Sequence, residues 1–180
     1  MLRKSVFALA LLASPALADG PGPNLIIDIT GAANGQVVID LAETAPLHMA
    51  QIVALAKSGA YDNVLFHRVI EGFMAQTGDV QYGKVGGANS MAGMGGSELP
   101  NIPAEFTQET FDRGAVGMAR AQDPNSANSQ FFIMFAPAPF LDGEYTIIGH
   151  VISGMEVVDA IARGEPPATP DVMTKVTVQE

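Results

Sequence analysis

The residues with most chemical content lie in one block, Phe66-His67-Arg68-Val69-Ile70-Glu71-Gly72-Phe73-Met74-Ala75-Gln76-Thr77-Gly78-Asp79. Read as one strand, its first part alternates so that Phe66, Arg68 and Ile70 share a face, which sets a guanidinium beside bulky apolar groups. After a turn at Glu71-Gly72, Met74 and Gln76 point one way and Phe73 and Ala75 the other. Such a surface can donate hydrogen bonds from a permanent cation into an apolar recess. A lone arginine at the end of a barrel, with its stem packed and its head in water, gives the same pattern. Other chemistries lack their residues: there is no G-x-S-x-G elbow, no Walker A loop and no H-E-x-x-H. His48, His67 and His150 are far apart in sequence, so no metal site is expected, and His67 reads as a packed structural histidine. Met91 and Met94 read as loop side chains rather than soft-metal ligands.

The elements that position this block alternate short strands with turn residues. Strands are expected over 25–30, 36–41, 64–70, 73–77, 115–121, 130–135, 145–152 and 172–178. One helix is expected from a Thr44 cap and Pro46 to Gly59, and a second over 155–163. Residues 82–100 contain six glycines without apolar periodicity and read as a long surface loop. Many strands and two helices point to a closed barrel or a sandwich.

The first residues combine Arg3 and Lys4, an apolar run from Val6 to Leu12, Pro15 and Ala16-Leu17-Ala18. This is the layout of a secretory signal peptide, with cleavage expected after Ala18. The expected organisation is therefore signal peptide 1–18, linker 19–23 and one domain over 24–180, in a periplasmic or secreted protein with no membrane segment after cleavage. The chain has no cysteine, so disulfides and thiolate chemistry are excluded. Without Arg3 and Lys4, seven basic residues face 19 acidic ones, a net charge of −12. That surface repels phosphate backbones, and nucleic acid is not an expected partner.

The 66–79 block resembles the cyclophilin signature, a Phe-His-Arg strand leading to Gly-Phe-Met-x-Gln and then Gly-Asp. Ser129-Gln130-Phe131-Phe132-Ile133 resembles the second signature of that family, Gly117-Met118-Ala119 its substrate-binding strand, and Phe140-Leu141-Asp142-Gly143 the pocket wall that follows. The resemblance runs in order from about Leu25 to the C-terminus. It implies a mainly β fold, a closed eight-stranded antiparallel β-barrel capped by two α-helices, and peptidyl-prolyl cis/trans isomerase activity without cofactor. It also implies roles for residues. Arg68 is the catalytic residue with Gln76 beside it; Gln76 and Gln130 place the substrate. Phe73, Met74, Phe132 and Leu141 form the proline pocket, and Ala119 with the backbone around Arg120 holds the peptide before the proline.

Three positions depart from the best-known pattern. Phe140 stands where many members carry Trp, Tyr145 where many carry His, and Arg120 where many carry Asn. Phe140 and Tyr145 still wall the site, but the lost indole N–H implies weak cyclosporin binding. The implied partners are proline-containing segments of exported proteins, met by a monomer. Two other readings stand beside it: a chaperone that uses the same groove to hold such segments without catalysis, and a β-barrel carrier with a small-ligand cavity lined by inward-facing side chains.

Overall fold

The structure, a computed structural model, describes residues 20, 22–87 and 89–180, so the expected signal peptide (1–18) and residues 19 and 21 of the expected linker lie outside the described residues. β1 (Asn24–Thr30) and β2 (Gly35–Leu41) form a hairpin, and α1 (Pro46–Lys57) follows. Then come β3 (Val64–Leu65), β4 (Arg68–Ile70), β5 (Met74–Thr77), β6 (Ala115–Met118), β7 (Phe131–Met134), β8 (Ile147–Ser153), α2 (Met155–Asp159) and β9 (Val172–Gln179). The strands make one antiparallel sheet in the order β3-β9-β1-β2-β8-β6-β7-β5-β4.

This corrects the expected closed eight-stranded barrel: among the described residues there are nine strands, and no ladder joins the end strands β3 and β4. The reason lies in the single strand expected over 64–70. It breaks at Phe66-His67, and its halves pair with opposite edges of the sheet. Phe66 N–H donates to Asp171 C=O at 2.9 Å, toward β9, whereas His67 N–H donates to Gln76 C=O at 3.2 Å, toward β5. The two edges of the sheet are therefore consecutive in the chain, joined by covalent continuity instead of a ladder.

The break also corrects the expected side-chain faces. Phe66 is fully buried in the main core with Val69, while Arg68 turns to the outside and Ile70 packs in a different cluster. Phe73 precedes β5 and lies with Met74, not with Ala75.

Period-two alternation fills the inner face. Leu25, Ile27 and Ile29 of β1 and Val37, Ile39 and Leu41 of β2 are all at most 1 % exposed. On β6 and β7 every residue is buried, and the alternation sorts them between two apolar layers. Val116, Met118, Phe131 and Ile133 enter the main core, whereas Ala115, Phe132 and Met134 join a second cluster with Met74, Phe111, Leu141 and Ile147. A strand buried on both faces reads as a continuous apolar run, and Phe131-Phe132-Ile133-Met134 is one.

α1 covers β9, and α2 covers β2. α1 does not use Thr44 as its cap. The N-cap is Ala45 without a side-chain bond, and Thr44 Oγ1 meets Glu109 at 3.2 Å. The first-turn N–H groups of Leu47 and His48 instead donate to the Glu105 carboxylate at 3.0–3.1 Å, from 58 and 57 residues away. His48 Nδ1, fully buried, lies 2.6 Å from the same carboxylate. An acceptor from a remote loop thus supplies the anion that a helix N-terminus favours. α2 ends at Asp159, short of the expected 163, because residues 161–164 turn toward β4 and Gly164 pairs with Val69.

Burial works to raise the Glu105 pKa, but hydrogen bonds from the His48 ring and from the N–H groups of His48 and Leu47 outweigh it and hold the carboxyl below its usual range. The unfolded chain therefore binds this proton first on acidification. The contribution of Glu105 is complete above its ordinary value near 4.5 and disappears as pH falls through the lower folded value. Glu105→Ala is expected to lower stability by about 2 kcal/mol at neutral pH through the lost cap and the orphaned His48. Thermal unfolding of both proteins between pH 7 and 3 checks this: the two melting temperatures should converge toward the acid end.

Candidate active site

The antiparallel register sets a row of residues across the outer face of the sheet. Arg68 of β4 stands opposite Gln76 of β5, Gln76 opposite Phe132 of β7, and Phe132 opposite Gly117 of β6. Side chains at paired positions share a face, so this register alone carries a cation, an amide and an aromatic ring side by side.

Gly117 is the necessary gap in the row. A Cβ there would overlap Phe132 Cζ and come within 2.6 Å of Phe111 Cε1. Without it, Phe132 lies flat over the strand and stacks on Phe111, with centroids 5.8 Å apart and planes at 22°. Tyr145 meets the same ring edge-on at 6.0 Å. Met74 and Leu141 close the floor, both nearly buried, and Phe73 with the 69 % exposed Phe140 forms a rim at 5.7 Å. The result is an open apolar groove of about 460 Å³ with Arg68 and Gln76 at one side.

Ten of the eleven residues singled out in the sequence line this groove: Arg68, Phe73, Met74, Gln76, Ala119, Arg120, Phe132, Phe140, Leu141 and Tyr145. The eleventh, Gln130, lines an adjoining recess of about 530 Å³ that shares Gln76, Ala119 and Arg120 with the groove. Arg120 forms the divide. Its guanidinium lies 4.4 Å over the Tyr145 ring and donates to the carbonyls of Ala121 at 3.0 Å and Glu144 at 3.0 Å.

Polar side chains form a chain of hydrogen bonds along the other wall. Arg68 Nη1 donates to Gln76 Oε1 at 3.4 Å, and Gln76 Nε2 donates to Gln130 Oε1 at 2.9 Å. Gln130 Nε2 then donates to the carbonyls of Gly93 and Gly95 at 3.0 and 2.7 Å. Each amide thus has a defined orientation, with Gln76 giving its oxygen to the arginine.

The last link involves the glycine-rich segment read as a surface loop. Part of it is anchored by Asp79, which is fully buried. Its Oδ1 accepts from the N–H groups of Gln81 and Tyr82, and its Oδ2 from those of Gly93 and Gly95, at 2.8–3.0 Å. Gly95 permits this approach, since a Cβ there would stand 2.5 Å from Oδ1. Gly78, with φ +85°, lets the chain pass the Ser129 carbonyl, 2.5 Å from where its Cβ would be. The Gly78-Asp79 pair is thus architecture that draws residues 93–95 to the wall. His67 is buried under Gly93, and that burial pushes its imidazole below the ordinary value, favouring the neutral ring.

Three contributors escaped sequence reading. Phe111 backs the Phe132 ring from a loop of no regular pattern, Glu144 lines the groove, and Glu165 pairs with Arg68 Nε at 2.8 Å across 97 residues. No local signal marks contacts made at such separations.

Comparison with known proteins gives the family and the fold. Residues 26–179 match the family described as "Cyclophilin type peptidyl-prolyl cis-trans isomerase/CLD". A probable peptidyl-prolyl cis-trans isomerase of Brucella suis is 52 % identical over 154 residues, covering 81 % of this chain and 79 % of that protein. The crystal structure of a Hirschia baltica cyclophilin, AquaCyp293, superposes with a TM-score of 0.74 at 29 % identity, over 88 % of this chain and 74 % of the other. A Cryptosporidium parvum cyclophilin-type peptidyl-prolyl cis-trans isomerase, crystallised in the presence of the dipeptide Ala-Pro, gives 0.74 at 27 % identity, over 87 % and 99 %.

The clearance above Gly117 is open to direct test. Gly117→Ala is expected to displace the Phe132 and Phe111 rings and to cost about 1–3 kcal/mol by overpacking. A crystal structure of the variant with a melting curve would check it; undisturbed rings at unchanged stability would contradict the role of the gap.

Proposed function

The chain belongs to the cyclophilin-type peptidyl-prolyl cis-trans isomerases, and on that premise we propose that it turns X-Pro bonds of exported proteins through hydrogen bonding by Arg68. The observation that carries this reading is the oriented Arg68 guanidinium beside an open groove with an apolar floor.

Rotation about an X-Pro bond is opposed by amide resonance, with a barrier of about 18–20 kcal/mol. Acceleration from tens of seconds to milliseconds requires about 5–7 kcal/mol. No bond is made or broken, so neither a nucleophile nor proton transfer is required. At the twisted transition state the prolyl nitrogen becomes pyramidal and regains a lone pair that the planar amide does not offer. A donor placed there binds the twisted form selectively, which is the condition for lowering the barrier. Arg68 supplies a charged donor, and such a bond contributes about 1.5–3 kcal/mol.

The remaining stabilisation comes from the groove. Phe73, Met74, Phe132 and Leu141 hold the proline ring on one side of the bond and exclude water, which strengthens the Arg68 bond. Gln76, Gln130 and the backbone at Ala119-Arg120 hold the peptide before the proline, so the two halves are anchored separately. The signal-like leader, with its basic start and apolar run before Ala18, supports clients among exported proteins, met in the periplasm or outside the cell. Phe140 offers a face but no N–H, which supports weak binding of cyclosporin.

A protease-coupled assay on an X-Pro peptide tests the reading, with the chain from Asp19 compared with Arg68→Ala. The variant is expected to keep its fold and lose at least about tenfold in kcat/KM, as the loss of one charge-assisted bond requires. A folded variant of full activity would overturn the role of Arg68, and a wild type without activity would favour a holding chaperone. In the same assay Phe140→Trp is expected to strengthen cyclosporin inhibition by about tenfold, one added hydrogen bond.

A further inference from the structure

Arg68 has neighbours on both sides. On one side β5 places Gln76 opposite it. On the other, an isolated antiparallel bridge joins Val69 and Gly164, with both N–H to C=O bonds at 2.8 Å. One step along that bridge brings Glu165 opposite Arg68, and the Glu165 Oε2 accepts from Arg68 Nε at 2.8 Å. This contact is shorter than the 3.4 Å bond from Nη1 to Gln76.

The segment carrying Glu165 is itself held. Arg163 pairs with Glu71 at 2.7 Å, lies 4.2 Å over the Phe135 ring and donates to the Asp159 carbonyl at 2.9 Å. Gly164 has φ +148°, and a Cβ there would stand 2.5 Å from Pro167 Cα, so the turn admits no side chain at that point. Glu165 therefore approaches the arginine from a fixed support, while it does not itself line the groove.

We propose that Glu165 is a positioning residue for Arg68: its carboxylate on Nε and the Gln76 oxygen on Nη1 fix the plane of the guanidinium and aim Nη2 at the substrate. Among the described residues Nη2 has no hydrogen-bond partner, which leaves it as the donor for the groove. A guanidinium is planar and rigid, so two anchors determine the direction of the third nitrogen. An arginine stem is otherwise flexible, and a donor that must be ordered during the reaction stabilises the transition state less than one already in place. Both side chains are about half exposed, at 41 % and 52 %, and such pairs contribute little to folding. The effect belongs to the rate. The inference rests on Arg68 acting as the donor.

The test compares Glu165→Ala, Glu165→Gln, Arg68→Ala and the double variant R68A/E165A, using kcat/KM for an X-Pro peptide and the NMR signal of the Arg68 Nε–Hε group. Glu165→Ala is expected to lower kcat/KM about five- to tenfold with KM and melting temperature nearly unchanged, and Glu165→Gln to fall between. The Hε resonance should move to the position of a solvent-exposed arginine, and the double variant should be no slower than Arg68→Ala alone. A wild-type rate for Glu165→Ala, with Arg68→Ala inactive, would overturn this inference and leave the Arg68 reading standing. So would a further slowing of Arg68→Ala by the same factor, since Glu165 would then act by another route. A fully active Arg68→Ala would overturn both.

Discussion

A groove on the outside of a sheet requires that one patch of the outer face be apolar and deep, and here that requirement is met by a single cross-strand row. Gly117, Phe132, Gln76 and Arg68 occupy paired positions on four adjacent strands. The strand period of two makes the register an all-or-none condition: a slip of one residue would send Phe132 and Gln76 inward and Phe131 and Ala75 outward. The row also needs a position without a side chain, because the Phe132 ring occupies the space above Gly117. The second apolar cluster grows around that ring, and it separates the groove from the main core of the sheet.

Orientation within the groove comes from hydrogen bonds that each consume a defined atom. From Glu165 through Arg68, Gln76 and Gln130 to the carbonyls of Gly93 and Gly95, each link leaves its neighbour one remaining way to point. The far end depends on Asp79, whose buried carboxylate takes four backbone N–H groups and holds two glycines that a free loop would not hold in place. A polar group at that depth is tolerable only when so fully bonded. Glu105 plays a comparable part elsewhere, capping α1 from a distant loop and pairing with His48.

An isomerase places modest demands on such an architecture. The barrier reduction is small by enzymatic standards, about 5–7 kcal/mol, and differential binding can supply it. This suits a site made from one cation, two amides and a floor of aromatic and aliphatic side chains. On the proposed reading, the direction of one half-exposed arginine donor counts, because so few interactions divide the work.

The sequence by itself determined the mainly β character, both helices and most members of the site. Alternation in 25–30 and 36–41 marks half-buried strands, and the motifs around Arg68, Gln130 and Phe140 name residues that the fold gathers into one groove and its adjoining recess. These signals are local, written within a few residues. Only the tertiary structure decided how the sheet ends. The single strand expected over 64–70 splits at Phe66-His67 because its halves find partners in β9 and β5, which lie far apart in the chain. The same holds for the helix cap from Glu105, the Phe111 ring beneath Phe132 and the Glu165 carboxylate on Arg68. Each joins residues tens of positions apart, and hydrogen bonding and packing across such distances depend on where the whole chain has folded.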